Sequence, residues 1–194
     1  MNLRTVTVLY EDQRGPRKGF GLHELVKACI FDVVDGDRVL FEKALVDARP
    51  LKGSSSLLRA CIKDLHDIAR DGRQVVAVFD EDKIRNLLNL STTATEEEVV
   101  AAIASRSSDP SSLHVVLLVR NQESIVGAVA ACDPEVDPAS KTLALGKSLN
   151  ERDKVLKAAS RAAKKPVREC VLQRVPSFRV LCDRIRAALI ADAG

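Results

Sequence analysis

The segment Val75-Val76-Ala77-Val78-Phe79-Asp80-Glu81-Asp82 constrains this chain more than any other, because five apolar residues end abruptly in two aspartates one residue apart. Unbroken apolar runs rich in valine mark strands buried on both faces of a parallel sheet, since such sheets carry helices on each side. Open sheets of that kind bind ligands in the crevice beyond the carboxyl ends of their strands. Two carboxylates placed there repel unless a cation or proton lies between them, so the Asp-x-Asp spacing fits a divalent metal held by oxygen ligands. A second reading stays open, in which Asp80 ends the strand and Asp82 caps a helix that begins near Lys83.

The remaining pattern predicts an α/β fold in which strands alternate with helices. Thr5–Tyr10 reads as a first strand running into Glu11-Asp12, followed by the basic, Gly/Pro-broken loop Gln13–Gly19. Leu22, Leu25, Val26, Cys29 and Ile30 recur at helical spacing, and Asp35-Gly36 marks a turn. A short strand is expected around Leu45–Ala48. Gly53-Ser54-Ser55-Ser56 then reads as a loop and helix cap, with anion binding at the helix N-terminus as the alternative. The stripe Leu57, Leu58, Cys61, Ile62, Leu65 and Ile68 predicts a buried helix face, ended by Asp71-Gly72.

After the 75–79 strand, the spacing predicts helices over 83–90 and 96–105, the second with an acidic first turn that suits the macrodipole. Leu113–Val119 is a further buried strand, delivering Arg120, Asn121 and Glu123 at its end, with an Ala-rich helix to Ala131. Helices are expected near 150–164 and from Pro176, an N1-type proline. The organisation is therefore an α/β body over 1–131, a connector over 132–149 and a helical extension over 150–194, with right-handed crossovers joining parallel strands.

Aromatic residues make up only 3% of the chain and Trp is absent, so base stacking on aromatic platforms is a poor route to holding single strands. The cysteines at 29, 61, 132, 170 and 182 are odd in number and scattered, with no Cys-x-x-Cys and no secretory or membrane-length segment. A reduced, cytoplasmic protein is expected, with Cys29, Cys61 and Cys182 as small core residues. His23, His66 and His114 lack zinc-ligand spacing, and the first two fall on polar helix sides as solvated imidazoles. Residues 1–140 hold 17 Lys/Arg against 22 Asp/Glu, a formal −5, whereas residues 141–194 hold 13 against 5, a formal +8. That asymmetry points the C-terminal third at a polyanion, or else at solvent as a charged helix face.

Gly146-Lys147-Ser148 is not a P-loop, because the leading glycine would fall at Lys141 and no strand precedes it. What remains is the order Glu11, Asp80-x-Asp82 and Glu123, each at or just after the end of a strand. In this order the chain resembles the Toprim domain of topoisomerases, primases and overcoming-lysogenization-defect nucleases over residues 5–131. The resemblance implies that Glu11 is the family glutamate and Asp80 and Asp82 the Asp-x-Asp pair. Together they would bind Mg²⁺, or Mn²⁺, for catalysis, with Glu123 as an additional ligand.

The function implied is a magnesium-dependent nuclease or nicking subunit on DNA or RNA, of the kind found in prokaryotic anti-phage or mobile-element systems. Arg14, Arg17 and Lys18 would then lie beside the metal. Lys154, Lys157, Arg161, Lys164 and Lys165 recur at three- and four-residue steps, predicting an outward basic stripe that tracks phosphates, with Val155, Leu156, Ala159, Ala162 and Ala163 docked beneath. The alternative is a non-catalytic Toprim-like adaptor or sensor. Its support is the loop Asp12–Gly19, which replaces the family's usual glycine turn, and the lack of an obvious general base beyond carboxylates; with no P-loop in the chain, a separately encoded ATPase is a natural partner. No membrane association is expected, and an oligomer is compatible with this reading. A flavodoxin-like receiver also places acids at strand ends, but no lysine ending a final strand completes such a site.

Overall fold

The computed structural model describes residues 4–11, 20–31, 46–119, 121–136 and 149–190. Four strands, β1 (Val6–Glu11), β2 (Asp47–Leu51), β3 (Gln74–Asp80) and β4 (Leu113–Leu118), form one all-parallel sheet in the order β2-β1-β3-β4. The helices are α1 (Gly21–Phe31), α2 (Gly53–Arg59), α3 (Leu65–Ile68), α4 (Glu81–Leu88) and α5 (Glu96–Ala104). They continue with α6 (Asn121–Cys132), α7 (Leu149–Ala159), α8 (Lys165–Arg174) and α9 (Pro176–Leu189). The fold is α/β, with further helices toward the C-terminus. Among the described residues, 4–11, 46–119 and 183–190 form a sheet unit, and 20–31, 121–136 and 149–182 form a helical unit.

In the sheet unit β3 lies between β1 and β4 and is buried along its apolar length on both faces, as its unbroken composition requires. Val75, Ala77 and Phe79 point into a core shared with Leu9, Leu57 and Ile103. Each large apolar side chain removed from water there contributes roughly 1.5–3 kcal/mol. The edge strand β2 runs later than the sequence pattern implied, and Pro50 sits in it without breaking a ladder because an edge strand has one unpaired side.

The 53–68 helix carries a π turn over Ala60–Asp64. Leu57, Cys61, Leu65 and Ala69 are buried, while Leu58, Ile62 and Ile68 are only half-buried. A strict four-residue repeat drifts around a 3.6-residue helix, and the wider i→i+5 turn brings it back toward one line. Asp71 and Gly72, at φ 64° and 73°, end the segment as expected. Thr95 and Glu98 close a capping box at the start of α5, with bonds of 3.2 and 2.7 Å.

The helical unit departs from the pattern in several places. The helix expected over 150–164 stops at Ala159, and α8 follows where no helix was expected. At this break lies Arg168, a residue only 2% exposed, whose Nη1 donates to the carbonyls of Ala159 at 2.9 Å and Arg161 at 2.6 Å. These bonds satisfy carbonyls that the end of the helix leaves without intrahelical partners. Cys132, at the end of α6, is bonded to Cys170 on α8, with their Cα atoms 6.0 Å apart. This corrects the expectation of fully reduced cysteines, because helix packing brings together residues 38 positions apart.

Cys29, Cys61 and Cys182 are buried and not disulfide-bonded, as expected. His66 is exposed, but His23 is 7% exposed and not solvated, since His23, Val26 and Ile30 share one face of α1 at i, i+3 and i+7. Gly21 opens α1 with its N–H 2.6 Å from Asp153 Oδ1 on α7, and a Cβ there would lie 2.7 Å from the Asp153 carbonyl oxygen. Among the described residues no helix is long and apolar enough to cross a membrane.

Candidate cation site at the carboxyl edge of the sheet

β1 and β3 are adjacent and parallel, paired from Val6↔Gln74 to Tyr10↔Val78, so Glu11 and Asp80 end neighbouring strands at the same edge. Adjacent strands lie about 4.8 Å apart, which lets the two carboxylates reach a common point. That point is occupied by the ammonium of Lys83, whose Nζ is 2.9 Å from Glu11 Oε1 and 3.5 Å from Asp80 Oδ2. The carboxylates are recessed, at 12% and 11% exposure, while the Lys83 side chain is 49% exposed.

The second oxygen of Glu11 is also held. Ser54 Oγ donates to Glu11 Oε2 at 2.5 Å. Topology explains the contact: β2 pairs with β1 through Glu11↔Leu51, so the chain leaving β2 turns into α2 beside the end of β1. Ser54 is therefore not the helix cap that its Ser-rich setting implied. Lys52 holds the N-cap position and makes no side-chain capping bond.

Asp80 stands at the N-cap of α4 with extended backbone, φ −75° and ψ 120°, and makes no side-chain cap bond to that helix. The helix begins at Glu81 and not near Lys83, so Asp82 is its second residue and not its cap. Lys83, three residues after Asp80, is brought back over the strand end by this first turn. The Glu11 hydrogen bond raises the Lys83 pKa above its ordinary value, partial burial works against the rise, and the charges of Glu11 and Asp80 add to it. At neutral pH Lys83 is a cation and not a base.

The donor set suits a hard divalent ion, since Glu11, Asp80 and Ser54 offer only oxygen atoms. The Lys83 ammonium marks where such an ion would sit. Among the described residues no group of three His, Cys, Asp or Glu side chains converges to hold a metal, and the Asp82 side chain lies outside them. Glu123 belongs to the helical unit, in the first turn of α6, where Arg152 Nη1 meets its Oε1 at 2.9 Å. Arg14, Arg17 and Lys18 lie outside the described residues.

The five cations of the expected basic stripe do not share one helix. Lys154 and Lys157 are on α7, Arg161 and Lys164 follow its end, and Lys165 starts α8. Most of the charge is matched nearby: Lys154 to Glu151 at 3.1 Å, Lys157 to Asp153 at 2.8 Å, and Lys164 to Asp133 at 2.8 Å and Glu135 at 2.6 Å. Lys164 is only 14% exposed, which corrects the expectation of a solvated side chain. Of the residues expected beneath the stripe, Leu156 and Ala159 are buried and Val155 is half-buried, but Ala162 and Ala163 are exposed because the helix has already ended.

The residues the sequence reading missed are Ser54 and Lys83. Their signal was present as position: a hydroxyl three residues past the end of β2, and a lysine one helical turn past Asp80. No protein-family model, curated protein or solved structure matches this chain.

Proposed function

We propose that the chain is a Toprim-like, magnesium-dependent nuclease or nicking subunit acting on DNA or RNA. The observation that carries this reading is the convergence of Glu11 and Asp80, from adjacent parallel strands, on one cation position at the carboxyl edge of the sheet. Magnesium uses one or two protein carboxylates and keeps waters and phosphate oxygens in the rest of its shell. Manganese, which also favours carboxylate and water ligands, is the natural substitute. When bound, such an ion supplies water activation and stabilises the charge of phosphodiester cleavage.

The roles of the chain's own groups follow. Glu11 and Asp80 hold the cation, Ser54 fixes the Glu11 carboxylate, and Glu11 is the group that exchanges a proton with the attacking water. Asp82 serves as an additional ligand in this reading, while Glu123 belongs to the other unit and is engaged by Arg152. Arg14, Arg17 and Lys18, with Lys154, Lys157, Arg161 and Lys165, would hold the flanking backbone, a role that fixes position and not sequence, while Lys164 is engaged by Asp133 and Glu135. Purified full-length chain should cleave plasmid, single-stranded DNA or RNA in Mg²⁺ or Mn²⁺ and lose the activity in Glu11→Gln and Asp80→Asn. Absence of cleavage of all three substrates with either ion overturns the enzyme reading.

One observation favours the second reading, a non-catalytic adaptor or sensor subunit with a separate ATPase or other protein as partner. Lys83 already bridges Glu11 and Asp80 and offsets one of their two negative charges, so the strand ends hold together without an added ion. A complex recovered by co-purification that survives Asp80→Asn, with no metal bound, would support the adaptor. In either case we propose a prokaryotic anti-phage or mobile-element system and a cytoplasmic location.

A further inference from the structure

Lys83 differs from the groups it bridges in how it is held. The Glu11 carboxylate is anchored by the β1 ladder and by Ser54, and Asp80 by its place at the end of β3. Lys83 reaches them from the first turn of α4 on a flexible four-carbon stem, with half of its side chain in solvent. Its ammonium can leave without any backbone movement. The carboxylates stay at the strand ends, where the ladder fixes their backbone and Ser54 holds Glu11.

We propose that Lys83 is an exchangeable internal counter-ion, so that a divalent cation and the Lys83 ammonium bind Glu11 and Asp80 in mutually exclusive states. This inference rests on the metal reading above and specifies how the ion enters. Magnesium–oxygen distances are about 2.0–2.1 Å, and the same oxygens already have Nζ at 2.9 and 3.5 Å. An ion drawn to those oxygens therefore takes the ammonium's place, and two cations at such range repel strongly. Before metal enters, the ammonium prevents the two recessed carboxylates from repelling each other. The exchange sets the ion concentration at which the site fills, since every binding event displaces a charge already at home there.

The test is Mn²⁺ and Mg²⁺ titration by calorimetry on the full chain, for the parent, Lys83→Met and Glu11→Gln. Thermal melts in EDTA and in excess Mg²⁺ accompany it. Lys83→Met, which keeps the stem and removes the charge, should bind the ion about tenfold tighter than the parent, a difference of about 1.4 kcal/mol. It should melt below the parent in EDTA and recover more of that loss with Mg²⁺, whereas Glu11→Gln should bind no ion. If Lys83→Met does not fold, Lys83→Arg serves, since a retained charge should keep affinity at or below the parent's; tighter binding by Lys83→Arg overturns the exchange. Equal affinity in the parent and Lys83→Met, lost in Glu11→Gln, also overturns the exchange but leaves the metal site standing. No binding by either the parent or Lys83→Met overturns both.

Discussion

The Ser54 hydroxyl donates to Oε2 of Glu11 across 43 residues of chain, tying the start of α2 to the end of β1. Ser54 is 6% exposed and the Glu11 side chain 12%, so water cannot readily replace the bond. Removing a hydrogen bond to a charged, recessed group costs about 1.5–3 kcal/mol. Ser54→Ala should lose stability of that order in urea denaturation. The neighbouring exposed Ser55→Ala should stay within about 0.5 kcal/mol of the parent. Equal stability of the two variants would show that the hydroxyl does not hold the carboxylate.

Cysteine chemistry gives a count. Burial pushes the Cys61 thiol up to about 12, partly offset by a backbone hydrogen bond, which leaves it protonated and unreactive at neutral pH. Cys29 and Cys182 are also buried. Native protein should therefore react with a thiol reagent slowly at every position. Unfolded without reductant it should expose three thiols, and unfolded with reductant five. Five thiols without reductant would remove the Cys132–Cys170 bond.

His114 sets a pH limb. Burial lowers its pKa below the ordinary 6.5, and the Arg184 charge adds to the effect. Its Nε2 lies 3.0 Å from Gln74 Oε1, so the ring is held among groups that accept it neutral. The unfolded imidazole takes up a proton more readily than the folded one. Stability from this residue is therefore full above pH 6.5 and declines as pH falls from 6.5 toward the lower folded value. His114→Gln should flatten that acid limb in denaturation curves between neutral and mildly acidic pH, and an unchanged limb would assign it to other groups.

Lys164 separates structure from nucleic-acid contact. Its ammonium donates to the Asp133 and then the Glu135 carboxylate, which raises its pKa, with partial burial opposing and the two charges adding. Lys164→Glu would place a third carboxylate among these and should lower the melting temperature. Lys154→Glu, at a side chain 73% exposed, should leave it nearly unchanged. If the basic helices hold nucleic acid, Lys157→Glu with Arg161→Glu should weaken binding and flatten its salt dependence, each lost phosphate contact removing about 0.9 from the log–log slope on duplex DNA. Affinity that ignores both substitutions and salt would leave these cations as a solubilising surface.

Much of the fold was legible in the sequence because its signals are local. The 75–79 run is apolar on both faces and 115–118 nearly so, as strands covered by helices require. The Asp71-Gly72 stop and the acidic start of α5 depend on single turns of backbone. The placement of Glu11 and Asp80 at strand ends was legible for the same reason, since an apolar run that stops at a carboxylate has one way to leave a core. The basic stripe misled because periodicity describes a helix only while the helix lasts, and this one stops at Ala159, whose carbonyl accepts from Arg168 nine residues further along.

The chain alone determined the α/β class, the strand ends that carry acids, and the burial of Cys29, Cys61 and Cys182, since each follows from residue type and short-range spacing. Tertiary structure decided the rest. That β1 and β3 are neighbours depends on crossover order, which no local pattern encodes. That Lys83 lies between Glu11 and Asp80, that Ser54 serves Glu11 instead of a helix, and that Cys132 meets Cys170 each depend on contacts between distant segments. Such contacts form only after burial of apolar surface has fixed the backbone, and the polar groups then take the partners this geometry leaves within reach.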